Sequence, residues 1–423
     1  MVLRRGSRGA ETALLQLGLA RAGYYGGVLD GIFGGATERA LTAFQKAEGI
    51  AADGVAGEVS WGKLAPWLGG YRVEKIRKGD TFYTLAKTRK SSVNAIRLAN
   101  PNLDERNLQV GAEIILPLEF AVVPTDIPVS SSLVTAVTAG LGARYPFIQR
   151  EVYGRSARGK ELYALKTGKG ARKVHFGAAI HANEWITSLL VLHFLEEYAR
   201  ALAADDELCG VRARKLYEET TLYVTPLENP DGVDLVTGAF PAGEALNLTR
   251  RIAAAYPSIA YPLGWKANAE GTDLNLQFPA GWEEARRIKF AQGFRTPAPR
   301  DFVGPSVLAA PEAASLAAWT EKESFDLVVA FHTQGGVIYW QYGEKEPEGA
   351  RELAERLSEA SGYPTEKTPA ASANAGYKDW FIKRFDKPGF TVEAGNGTNP
   401  LPLTAFGAIY DRVKRLMTAA LET

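Results

Sequence analysis

Cysteine is almost absent: Cys209 stands alone in 423 residues, so no disulfide can form within the chain, and no Cys or His lies at ligand spacing beside it. Histidine is nearly as scarce. With four in total, any histidine-built site must draw on His175, His181, His193 and His332. Charge of one sign is lacking too, because 49 Lys+Arg balance 48 Asp+Glu and leave a formal +1. Nothing in the bulk electrostatics therefore favours nucleic acid or an acidic membrane. No apolar run approaches the roughly 20 residues that span a bilayer. The opening Met1-Val-Leu-Arg-Arg leads into Gly-Ser-Arg-Gly-Ala-Glu, not into the apolar core of a secretion signal, so no Sec-type leader is expected in this chain.

What is present is ordinary for globular protein: 46% hydrophobic and 23% charged residues, in a length that suggests two to four units. The first, residues 5–68, contains an echo: Asp30-Gly31-x-x-Gly34-x-x-Thr37 returns as Asp53-Gly54-x-x-Gly57-x-x-Ser60. Each copy reads as a tight Asp-Gly turn followed by a Ser/Thr that starts or caps a helix. Between them Ala40, Leu41, Phe44 and Ala47 predict an amphipathic helix over 37–48. A small all-α module is expected. Leu15-Gln16, Gly23-Tyr24-Tyr25, Phe44-Gln45 and Trp61 complete a pattern that resembles the peptidoglycan-binding domain of wall hydrolases.

Residues 71–118 read strand, helix, helix, strand: Tyr71–Ile76, Phe82–Thr88, Ser92–Ala99 and Gly111–Pro117. This β-α-α-β order, with its Gly79-Asp80-Thr81 turn and Asn100-Pro101 pair, is similar to a LysM module. The resemblance implies binding of N-acetylglucosamine-containing glycans. A short stiff linker, 119–129, carries Pro124 and Pro128. In the remainder, 130–423, the apolar runs 173–180, 221–225 and 325–331 alternate with helical stretches at 185–202 and 311–323. That pattern predicts an α/β domain with a central sheet flanked by helices.

Ligands of α/β sheets gather beyond the carboxyl ends of the strands. One predicted strand delivers His181-Ala-Asn-Glu184-Trp185 and another delivers His332. A hydrolytic zinc takes about three protein ligands and keeps one open position, and two His with one Glu is an established set. His181, Glu184 and His332 supply it. His175, inside its strand, and His193, in the following helix, read instead as core or surface residues.

These motifs occur with Asn229-Pro230-Asp231-Gly232, Asp273-Leu274-Asn275 and Phe390-Thr391-Val392-Glu393, in the order and approximate spacing of the zinc carboxypeptidase A family, which the last 300 or so residues resemble. The resemblance implies a mixed central sheet, one Zn2+ on His181, Glu184 and His332, and Glu393 as the base that takes a proton from attacking water and returns it to the leaving amine. Departures from the family pattern narrow the substrate. The family's arginine clamp for a free C-terminal carboxylate is Leu276 here, and an alkyl chain cannot replace a guanidinium. The arginine within the zinc motif is Asn183, and Trp265-Lys266 replaces Trp-Arg, which makes Lys266 the oxyanion candidate.

With Asn275-Leu-Gln-Phe-Pro-Ala-Gly-Trp282 and Gly376-Tyr-Lys-Asp-Trp380, the chain resembles the γ-D-glutamyl-meso-diaminopimelate peptidases of this family. The expected reaction is hydrolysis of the γ-D-Glu–meso-diaminopimelate amide in peptidoglycan stem peptides. Asn183, Asn275 and Tyr377 are the expected substrate contacts. The expected place of action is the bacterial wall or spore, after a cytoplasmic or spore-associated origin. Two other readings are a carboxypeptidase or amidase acting on another amide, and a wall-binding adaptor that has lost activity.

Overall fold

Both Asp-Gly turns of the first piece close in the same way. In the computed structural model, which describes residues 2–422, Gly31 and Gly54 take φ of 67° and 70°, left-handed values that favour glycine. Asp30 and Asp53 each accept the backbone N–H two residues on, at 2.9 Å. A glutamine from the preceding helix then locks each turn. Gln16 donates to Asp30 at 2.9 Å and accepts from Gly31 N at 2.9 Å, and Gln45 repeats this with Asp53 and Gly54 at 2.9 and 3.0 Å. Thr37 and Ser60 are not caps. Gly34 and Gly57 hold the N-cap positions, and the two hydroxyls accept from the same glutamines at 3.2 and 3.1 Å. The helices Ala10–Arg21, Gly35–Ala47 and Glu58–Gly69 enclose Leu15, Leu19, Phe33, Leu41, Phe44 and Leu64.

The next piece has the expected β-α-α-β order. Strand Tyr71–Lys75 pairs antiparallel with Glu113–Pro117 around helices Phe82–Arg89 and Val93–Ala99. Thr81 and Thr84 form a reciprocal capping box at the first helix. Asn100, of the Asn-Pro pair, ends the second helix by donating to Ile96 O and Ile115 O, both at 2.7 Å, and accepting from Ile115 N at 2.8 Å. One side chain thus joins helix end to closing strand. By contacts, residues up to Ile127 and Ser132–Arg150 form one unit, and Pro128–Ser131 with Glu151 onward form another. Helix Ser131–Arg144 packs in the first unit because Gly140 lies against the Gly69 carbonyl, where a Cβ would overlap it.

The second unit is an eight-stranded mixed sheet in the order Thr365–Glu366, Val337–Tyr339, Gly389–Glu393, Leu327–His332, Arg172–Ala178, Thr220–Thr225, Glu161–Gly168, Gln149–Arg155. The four central strands run parallel, and the strands beside them, Val337–Tyr339 and Glu161–Gly168, pair antiparallel. Successive side chains alternate between faces. On one face Phe176 meets Phe194 of helix Ile186–Ala204, with ring centroids 6.0 Å apart, and Phe331 of the neighbouring strand at 5.7 Å. His175 and Tyr223 face the other way, towards Trp319 of helix Pro311–Glu323. His175 is a fully buried core residue, as its position inside a strand predicts. It is bonded to Tyr377 Oη at 3.0 Å and Thr225 Oγ1 at 2.7 Å, and burial pushes its pKa down to about 3. His193 is partly exposed, 3.6 Å from Glu197.

Candidate active site

The parallel strands place the predicted ligands at their carboxyl ends, in the middle of the sheet. Arg172–Ala178 continues through Ala179 and Ile180 to His181, and a short 3-10 turn, Ala182–Glu184, folds Glu184 back towards it. Leu327–His332 ends on His332, and in the neighbouring strand Glu393 stands opposite His332 in register. The turn is held from the next loop. Asn229 Nδ2 donates to Ile180 O at 3.1 Å and Ala267 O at 3.1 Å, while Asn229 Oδ1 caps helix Pro230–Thr237 through Gly232 N at 3.0 Å. Gly232 permits this approach: a Cβ there would lie 2.5 Å from Ala267 O and 2.8 Å from Ala182 Cβ.

His181 Nδ1, His332 Nδ1 and the two Glu184 oxygens converge. His181 Nδ1 lies 3.1 Å from Glu184 Oε1 and 3.2 Å from His332 Nδ1, which is 2.9 Å from Glu184 Oε2. The other nitrogen of His181, Nε2, faces Asp273 Oδ1 at 3.3 Å. A carboxylate behind a histidine fixes the proton on the far nitrogen and leaves the near one as a lone pair. The near atoms therefore form a knot of acceptors, which is a poor hydrogen-bond cluster but a good cradle for a cation. The electrostatics favour positive charge at this point: burial and Lys266 oppose charge on His181, yet Glu184 and Asp273 outweigh them and hold its pKa up to about 9, so a proton and a metal ion compete for the same nitrogen. Lys266 brings its ammonium to 2.7 Å from Glu184 Oε1. The donor set fits a metal ion, and these three residues are the one such cluster among the described residues.

The triad opens on a cavity of about 190 Å³. Lys266, Asn275, Leu276 and Glu393 line it, so these expected residues come together with the triad. Burial pushes the Glu393 carboxyl up, and no described residue donates a hydrogen bond to it. Asn183 is not among the lining residues: it is 4% exposed and donates to Leu263 O at 3.2 Å. Tyr377 corrects the expectation more sharply. Its hydroxyl points into the core, 3.0 Å from His175 and 2.9 Å from Thr320, and only its backbone N–H meets the site, donating to Asn275 Oδ1 at 3.0 Å. Sequence reasoning assigned no role to Asp273, although it opens the Asp-x-Asn motif, nor to Lys378, although it stands within Gly376-Tyr-Lys-Asp-Trp380, nor to Arg300, which lines the cavity from a segment without periodicity or motif.

The zinc carboxypeptidase profile matches residues 134–406. The chain belongs to the zinc carboxypeptidase family. Within that family it is 43% identical over 281 residues to the gamma-D-glutamyl-L-diamino acid endopeptidase 1 of Lysinibacillus sphaericus, covering 66% of this chain and 69% of the relative. The fold is also that of bovine thrombin-activatable fibrinolysis inhibitor, with a TM-score of 0.53 at 16% identity, covering 70% of this chain and 97% of that one. Ahead of the zinc carboxypeptidase region, residues 8–64 match a putative peptidoglycan binding domain and 75–117 a LysM domain, which supports binding to peptidoglycan. Over 84 residues, 19% of this chain and 30% of the relative, it is 37% identical to a spore cortex-lytic enzyme of Oceanobacillus iheyensis.

As a zinc carboxypeptidase the chain is a metallopeptidase using one Zn2+, and His181, Glu184 and His332 are the residues that would hold it. Zinc in such a site supplies a Lewis acid and lowers the pKa of water towards neutrality. Asp273→Asn keeps the shape of the His181 partner and removes its charge. It is expected to weaken zinc binding by about 10- to 100-fold in competition with a chelator. An unchanged affinity would show that His181 needs no anionic support.

Proposed function

We propose that this zinc carboxypeptidase is an endopeptidase of bacterial wall peptides, hydrolysing the amide between γ-D-glutamate and meso-diaminopimelate. The observation that carries the reading is Leu276: a buried alkyl chain, 8% exposed, lines the cavity at the place of the family's carboxylate clamp. C-terminal trimming needs a cation there, and an internal amide does not. The 43% identity to a gamma-D-glutamyl-L-diamino acid endopeptidase supports the same substrate class.

In this reading Glu393 is the general base and then the acid for the leaving amine. Burial holds its proton affinity above that of an ordinary carboxylate, which suits a group that must both take and return a proton. Lys266, at the edge of the triad, carries positive charge to the carbonyl oxygen, and Asn275 offers its amide to the peptide. The N-terminal modules hold the enzyme on the wall or spore polymer, where tethering raises the effective substrate concentration.

Mass spectrometry of L-Ala-γ-D-Glu-meso-diaminopimelate incubated with the protein tests the proposal. L-Ala-D-Glu and free diaminopimelate are expected, and a zinc chelator should suppress both. An uncut tripeptide with zinc-loaded protein would move the activity to another amide. Leu276→Arg is expected to reduce this cleavage at least tenfold and to introduce C-terminal trimming of ordinary peptides. Undiminished cleavage by the variant would remove Leu276 from the argument.

A further inference from the structure

Four cations line the cavity beside the triad: Lys266, Lys289, Arg300 and Lys378. Three are already committed. Lys266 is 2.7 Å from Glu184, Lys289 is 2.6 Å from Asp301 with only 8% of its side chain exposed, and Lys378 sits 2.6 Å from both Asp379 and the Gln341 carbonyl with 4% exposed. Arg300 differs. Its side chain is 43% exposed, and its single hydrogen bond runs from Nε to Asp301 Oδ2 at 2.6 Å. That contact uses one edge of the guanidinium, and no described residue accepts from Nη1 or Nη2.

The backbone places this group deliberately close to the chemistry. On one side of Arg300, the Pro299 carbonyl accepts from Lys266 N at 2.8 Å and Ala267 N at 2.9 Å. On the other, Asp301 N donates at 3.0 Å to Asp273 Oδ2, whose partner oxygen faces His181. Arg300 is thus bracketed by two attachments to the site. Asp301 itself adopts φ of 65°, a left-handed value that costs a non-glycine residue free energy and is kept where its surroundings over-determine it. Its carboxylate forks between Lys289 and Arg300. Asp301 therefore positions the arginine, anchoring one edge while the two terminal amino groups stay free.

Resting on the proposed substrate class, we infer that Arg300 is a specificity-determining residue that binds a substrate carboxylate through its free guanidinium fork. A planar fork of two N–H donors matches a carboxylate in a way that neither a lysine nor Leu276 can. The stem peptide offers such a group on both sides of the scissile amide: the α-carboxylate of γ-linked D-glutamate, and the D-centre carboxylate of diaminopimelate, which lies off the main chain.

The test compares three tripeptides: the fully acidic L-Ala-γ-D-Glu-meso-diaminopimelate, the form carrying an α-carboxamide on D-glutamate, and the form amidated on diaminopimelate. For wild type, kcat/KM is expected to fall about 10- to 100-fold for whichever amidation removes the bound carboxylate. In Arg300→Gln that discrimination should collapse towards one, through a raised KM on the acidic peptide, with zinc content kept at one equivalent. Arg300→Lys, which keeps the charge without the fork, should recover only part of it. Equal effects of Arg300→Gln on all three peptides would overturn the inference while leaving the proposed reaction intact, as would wild type that cleaves all three alike. If wild type cuts none of them, the proposed function itself fails and the inference with it.

Discussion

Glu393→Gln is expected to lower kcat by about a thousandfold while leaving one zinc per chain. Glu393 ends its strand directly opposite His332, so the sheet fixes its distance from the metal triad without making it a member. The amide has the shape of the carboxylate but no affinity for the proton that water must give up. Folding, cavity and metal content should survive, and chemistry should not. Elemental analysis together with single-turnover cleavage of the acidic tripeptide checks both halves. Near-normal turnover would remove Glu393 as the base, and lost zinc would make it part of the metal site.

Glu184→Gln is expected to have the opposite signature: zinc lost, turnover lost with it, and the protein weaker even in a chelator. The Glu184 carboxylate gathers five neighbours. Besides both histidines, it faces Lys266 at 2.7 Å, the Thr333 N–H at 3.2 Å and Asn399 at 3.5 Å. Removing its charge deletes the anionic ligand, so zinc affinity should fall by more than the roughly 10- to 100-fold typical of outer partners. It also strips the buried Lys266 of its partner. Breaking such a pair costs about 3–5 kcal/mol, which should appear as a lower denaturation midpoint with chelator present in both samples. Full zinc occupancy at wild-type affinity would place the metal elsewhere.

The convergence of His181, Glu184 and His332, with Glu393 beside them, was legible because strand patterning, short motifs and the family resemblance coincided. Apolar runs located the strand ends, the His-x-x-Glu spacing placed two ligands on one turn, and the late Phe-Thr-Val-Glu run placed Glu393. The β-α-α-β order was readable for a similar reason, since its strands, turns and Asn-Pro stop are local signals. Tyr377 was misread because a helix start announces itself without saying which way each side chain faces. In helix Tyr377–Phe385 the tyrosine turns to His175 and the core, while the adjacent Lys378 reaches the cavity. Thr37 and Ser60 do stand in the first helical turns, but as caps they were misread for a related reason: their partners, Gln16 and Gln45, lie 21 and 15 residues earlier. Arg300 and Asp301 sit in a stretch without periodicity, and only the folded chain brings them to Asp273.

The parallel register at the heart of the sheet also governs how the site is assembled. His332 meets Glu184 across 148 residues of sequence and His181 across 151. The strand carrying His332 must pair with Arg172–Ala178 on one side and Gly389–Glu393 on the other. Such distant pairings are slow, because the loop entropy is lost before the contacts are gained. No local fragment of the chain can assemble the site: the metal ligands meet only through the pairing of Leu327–His332 with Arg172–Ala178, and Glu393 joins them only through the separate pairing of Gly389–Glu393. Holding the metal and completing the cavity thus rest on two different strand pairings.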